Sequence, residues 1–72
     1  MFEKYRKKAG MTQEQVAEKT NISWRQLQRI EKGISIPTIE TFSKLISVLK
    51  ISDEDALQYI KQFDEEKVKE YI

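Results

Sequence analysis

The chain contains neither cysteine nor histidine. Without thiols it can form no disulfide and offers no thiolate nucleophile; without imidazole it lacks the side chain that most often moves protons or holds zinc near neutral pH. Catalysis would have to rest on carboxylates and hydroxyls. One small domain of 72 residues leaves little room for a water-excluding pocket around such a pair. The two glycines, Gly10 and Gly33, are too far apart to build a phosphate loop, and no strand pattern stands ready to position one. No apolar run approaches the roughly 18 residues of a membrane span, and the opening MFEKYRKKAG lacks the apolar core of a secretory leader. The expectation is a cytoplasmic, non-enzymatic protein with no membrane association, no cofactor and no bound metal.

Charge is also scarce in net terms, at +1 overall. Its distribution is uneven. Residues 1–33 hold eight Lys/Arg against four Asp/Glu, and residues 34–72 hold five against eight, so the N-terminal half carries +4 and the remainder −3. Such a chain is no general polycation, but one end of it suits a polyanionic partner.

That basic half contains the stretch on which the reading turns, TQEQVAEKTNISWRQLQRIEKG from Thr12 to Gly33. Thr12 followed by Gln15, and Ser23 followed by Gln26, are capping-box signatures, and they predict two short helices. Asn21 between them tolerates the left-handed backbone of a sharp corner, and Gly33 closes the second helix as a left-handed cap. Val16 and Ala17 face inward from the first helix, Ile22 plugs the turn, and Leu27 and Ile30 form the inner stripe of the second. Ala17 is small enough to let the helices cross closely. Opposite Leu27 and Ile30, at 100° per residue, lie Arg25, Gln28, Arg29 and Lys32, a face made of hydrogen-bond donors. On an arbitrary helix this face would be an ordinary solvated surface.

Helix 1 is predicted over Phe2 to Lys8, with Phe2, Tyr5 and Ala9 inward and Gly10 ending it. A fourth helix follows Ile34-Ser35-Ile36-Pro37 over Thr38 to Leu49, with Ile39, Phe42, Leu45, Ile46 and Leu49 as its core stripe. Ile51 and the pair Ser52/Asp55 open a fifth, whose Asp53, Glu54 and Asp55 suit its positive N-terminal end better than they suit a calcium loop. Ala56, Leu57, Ile60 and Phe63 continue the apolar stripe. Residues 1–63 are taken as the folded domain and 64–72 as an extension, a short helix or a frayed tail. Val68, Tyr71 and Ile72, with Tyr59, either cover the core or form a dimer contact.

The stretch resembles the helix-turn-helix of Cro and the phage repressors, the xenobiotic response element family of bacterial regulators. The resemblance is carried by Gly10-Met11-Thr12-Gln13-x-x-Val16-Ala17, the Ser23 start, and Ile30-Glu31-x-Gly33 with Pro37 beyond, and it extends from about Phe2 to Leu57. It implies an all-α, five-helix, lambda-repressor-like domain that binds double-stranded DNA, acts as a transcriptional regulator such as a repressor, and works as a homodimer on two half-sites. It also implies that Arg6 pairs with Glu31. Of the residues matching the family's positions, Trp24, Arg25 and Arg29 fall at the base-reading sites, Gln13 and Thr12 at the phosphate anchor, and Ser23 near phosphate or base. Gln26 and Lys32 are expected on the backbone, with Gln28 on the same donor face. Thr38 opens the fourth helix, whose backbone N–H groups can meet a phosphate. Ile34 and Ser35 depart from the basic or amide residues common at that loop.

Two points stay open. Trp24 either folds back over the helix edge or projects toward DNA, and the matched position favours the second. The alternative for the whole chain is a protein-interaction module on the same fold, an antitoxin or partner-controlled regulator, working through Ile34 and the C-terminal apolar residues.

Overall fold

A computed structural model describes residues 1–63; the expected extension at 64–72, with Val68, Tyr71 and Ile72, lies outside the described residues. Five helices follow one another, α1 (Phe2–Lys8), α2 (Gln13–Thr20), α3 (Trp24–Glu31), α4 (Ile39–Leu49) and α5 (Asp53–Lys61). This is the all-α, lambda-repressor-like arrangement expected from the sequence. α2 packs on α3 and α4, and α1 packs on the same two helices.

Three of the four corners are built alike. In Gly10-Met11-Thr12, Asn21-Ile22-Ser23 and Lys50-Ile51-Ser52 the first residue is left-handed, with φ of 71°, 58° and 55°. The second is apolar and turned toward the core, and the third caps the next helix through its hydroxyl. The left-handed residue turns the chain so that the following amide reaches back to a free carbonyl at the helix end: Met11 N–H to Arg6 O at 3.1 Å, Ile22 N–H to Ala17 O at 3.0 Å, and Ile51 N–H to Ile46 O at 3.1 Å. Lys50 takes this conformation despite its Cβ, at a cost of roughly 1–2 kcal/mol. Each apolar corner residue precedes a buried one in the first turn or just beyond, as in Met11/Val16, Ile22/Leu27 and Ile51/Ala56, the pattern of a hydrophobic staple.

The α3–α4 corner is the exception. Gly33 adopts φ 77° and Ile34 N–H returns to Arg29 O at 2.9 Å, but four residues intervene before Thr38 caps α4. Only Pro37 of this loop is buried, and Ile34 and Ile36 are exposed.

Capping is fully reciprocal at α2, where Thr12 and Gln15 each accept from the other's backbone amide. At α3 and α5 only the serine half forms, Ser23 Oγ accepting from Gln26 and Ser52 Oγ from Asp55. The Asp55 carboxylate is used elsewhere, accepting the Tyr5 hydroxyl at 2.5 Å and so stapling α1 to the start of α5.

The core contains Phe2, Val16, Ala17, Leu27, Ile30, Phe42, Leu45, Leu49, Ile51 and Ala56. Several expectations are corrected. Ala9 is exposed, because it is the C-cap of α1 and lies past its buried face. Ile39 is 86% exposed; it starts α4 at the long corner, a turn before the helix reaches the other elements. Leu57 and Ile60 are half exposed, because α5 turns Ala56 and Tyr59 inward instead. Tyr59 packs edge-on against Phe2 with ring centres 4.9 Å apart and lies 5.2 Å from both Phe42 and Phe63. Its ring therefore covers the core. Thr20, whose hydroxyl donates to Val16 O at 2.7 Å, is buried without having been foreseen.

Candidate nucleic-acid interface

The α2–α3 pair presents its polar side on one face. Trp24, Arg25, Gln26, Arg29 and Lys32 are all exposed, while Leu27 and Ile30 on the opposite side are buried. The helix is short, so these side chains occupy two turns and can engage one stretch of a partner together.

The electrostatics of that face depend on a residue inside it. Glu31 is the one acid of α3, and its carboxylate is taken up by Arg6 of α1, with Arg6 Nε 2.7 Å from Glu31 Oε2 and Arg6 Nη2 3.3 Å from Oε1. Arg6 Nη1 also donates to Met11 O at 3.0 Å, across the first corner. The pair expected from the resemblance is therefore present. Glu31 is thus satisfied within the fold, and among the described residues Arg25, Arg29 and Lys32 have no ion-pair partner. Their charge is left facing outward.

Gln13, at the first position of α2, is more committed than the sequence suggested. Its Nε2 donates to Glu31 Oε1 at 2.9 Å, and its Oε1 accepts the Trp24 indole N–H at 2.8 Å and, more weakly, Gln28 Nε2 at 3.5 Å. One amide N–H of Gln13 remains for an outside acceptor. Trp24 is thus held by its nitrogen while the residue stays 51% exposed, which combines the two orientations considered from sequence. Gln28, expected on the outer face, is half-buried and turned toward Gln13. The clue available in the sequence was the indole N–H, which normally finds a partner; which partner depends on the helix crossing.

Arg29 donates from Nε to Ser35 Oγ at 3.1 Å, so the α3–α4 loop steadies this arginine while its guanidinium end stays exposed. Thr12 and Ser23 are exposed at the N-termini of α2 and α3, each hydroxyl already accepting from its own helix. A shallow depression runs from Lys7 of α1 past Thr12 and Gln13 to the edge of Trp24. Thr38 is exposed and caps α4 by accepting from Thr41 N–H at 3.1 Å.

Two short helices at a tight corner, the second displaying cations with no ion-pair partner among the described residues, form a helix-turn-helix. The chain matches the family described as helix-turn-helix, of the Cro/C1 type, over residues 2–55 and belongs to it. No individual curated protein and no solved structure matches it. Membership makes this a DNA-binding protein of the transcription-regulator kind. None of the described helices is long and apolar enough to cross a membrane.

Proposed function

We propose that the chain binds double-stranded DNA sequence-specifically as a transcriptional regulator, with α3 entering the major groove. The observation that carries this is the row of Arg25, Arg29 and Lys32, which have no ion-pair partner among the described residues, while the charge of Glu31 is taken up by Arg6. Arg25 and Arg29 have the forked donors that match the O6 and N7 of guanine, a pairing worth about 1–3 kcal/mol of discrimination. Trp24 presents an apolar ring beside them, suited to a thymine methyl. Lys32, Gln26 and Ser23 flank the row and suit phosphates. The α2 N-terminus, with Thr12 and the remaining Gln13 N–H, anchors on the backbone, and the start of α4 at Thr38 offers backbone amides for a second phosphate. A single module of this size seldom binds one site specifically, so a homodimer on two half-sites about one helical turn apart is part of the proposal.

Selection of bound duplexes from a random pool tests this directly. A recovered site with two related halves is expected. Recovery without enrichment of any sequence would overturn sequence-specific reading.

The second reading, a protein-interaction module, draws on the exposed Leu57 and Ile60 of α5 and on Ile34. Tyr59 no longer supports it, since its ring packs into the aromatic cluster. An apolar patch on α5 is also what a homodimer needs, so it does not compete with DNA binding. A partner-controlled regulator would show both.

A further inference from the structure

Four side chains from three helices form one hydrogen-bonded chain, and its donors converge on Glu31 from both sides. Arg6 donates to Glu31, Gln13 donates to Glu31, and Trp24 donates to Gln13. Both ends fix this direction. The guanidinium of Arg6 and the indole of Trp24 have donors and no acceptor, whereas the ionised carboxylate of Glu31 accepts and cannot donate. Gln13, between them, is the one member that could be turned either way, and the charge on Glu31 selects the orientation with Nε2 toward Glu31 and Oε1 toward Trp24.

We infer that Glu31 is a positioning residue for the DNA face: its carboxylate orients the Gln13 amide, and that orientation holds the Trp24 indole in place on α3. Glu31 itself is nearly fully buried, with 3% of its side-chain surface exposed, and lies two turns along α3 from Trp24. The consequence rests on the reading that α3 faces the groove: the base preference at the pair Trp24 meets is set in part by a residue that touches no base.

The direction of the chain supplies the test. In Glu31→Gln, the remaining oxygen of residue 31 is claimed by Arg6, whose Nε stands at 2.7 Å in the native pair, and the new amide must donate toward Gln13. Gln13 then turns its oxygen toward residue 31 and its Nε2 toward Trp24. Gln28 can rotate its own amide to accept, but the indole N–H of Trp24 has no such freedom and is released. Combining Glu31→Gln with Gln13→Glu restores an acceptor in front of the indole, because residue 13 now accepts from both sides. Gln13→Met removes the link while leaving the Arg6–Glu31 pair untouched, so it reports even if Glu31→Gln fails to fold.

The chain has one Trp, so the indole N–H gives a single signal in a nitrogen–proton correlation spectrum of the free protein. In Glu31→Gln and in Gln13→Met that signal is expected to shift and its exchange with water to accelerate roughly fivefold, the factor expected from one net hydrogen bond. In the exchange double Glu31→Gln/Gln13→Glu, slow exchange is expected to return. A merely structural role for Glu31 would lower the melting temperature of all variants without this reversal. An indole signal unmoved by Gln13→Met, or one that the exchange double fails to restore in a folded protein, overturns the inference whatever the chain binds. Failure of the unaltered chain to select any duplex would instead overturn the proposed function and leave the indole result standing.

Discussion

Arg6 Nε lies 2.7 Å from Glu31 Oε2, joining α1 to the last turn of α3 in a pair whose side chains keep 11% and 3% of their surface exposed. Removing one member strands the other in a place that water barely reaches, and such losses typically cost about 3–5 kcal/mol, more than removing both. Arg6→Met is therefore expected to destabilise strongly, and adding Glu31→Gln to it to recover part of the loss. Urea denaturation of the two single variants and the double measures the coupling. Additivity within about 0.5 kcal/mol would show that the pair does not act as one unit.

If the α3 cations meet the duplex as proposed, binding is an ion-exchange reaction. Each phosphate neutralised should contribute about −0.9 to the slope of log K against log salt. If Arg25, Arg29, Lys32 and their counterparts in a second copy engage, titrations between low and physiological salt will show a steep slope. A flat one would exclude the electrostatic contribution on which the docking rests.

Arg29 and Lys32 are expected to differ in kind. Arg29 is steadied by Ser35 on the exposed face, the place proposed for base reading, whereas Lys32 is the C-cap of α3, the place proposed for a phosphate contact. Arg29→Ala should relax preference at one base pair and Lys32→Ala should weaken all sites alike. Binding to a panel of single-base variants of the selected site separates them; the reverse pattern would mean that α3 docks in another orientation.

Trp24 should be dispensable for folding and needed for binding. A fully packed indole truncated to Ala costs about 3–5 kcal/mol, but this one is half exposed and tied by a single hydrogen bond to Gln13. The expected cost of Trp24→Ala is about 1–2 kcal/mol, with a much larger loss in affinity for the selected duplex. Its fluorescence should report a partly exposed indole that changes when that duplex is added. A large fall in melting temperature with unaltered DNA binding would make Trp24 structural.

Burial raises the Tyr59 phenol above its ordinary value of 10.0. The unfolded chain then loses this proton first, so above about pH 10 it binds fewer protons than the native state and native stability falls as pH rises; below that the contribution is fully present. Denaturation midpoints at pH 8 to 11, taken as approximate bounds of the titration, should decline more in the native protein than in Tyr59→Phe, which has no proton to lose.

What the sequence determined by itself is local. Thr12, Ser23, Thr38 and Ser52 mark helix starts, and Gly10, Asn21 and Gly33 mark corners, because a cap or a left-handed turn is settled within four or five residues by hydroxyl geometry and Cβ sterics. The periodicity of Leu27 and Ile30, with the cations opposite them, is likewise a property of one helix. What only the tertiary structure decided is which side of each helix meets a neighbour. Ile39, Leu57 and Ile60 carry the same apolar signal as Leu45 and Ala56, yet they lie outside the core, and Tyr59 takes the place expected of them. The use of Gln13 was equally hidden: Glu31, Trp24 and Gln28 are 18, 11 and 15 residues from it in sequence. They become its partners because the left-handed corner at Asn21 folds α3 back against α2, close enough for one amide to reach all three.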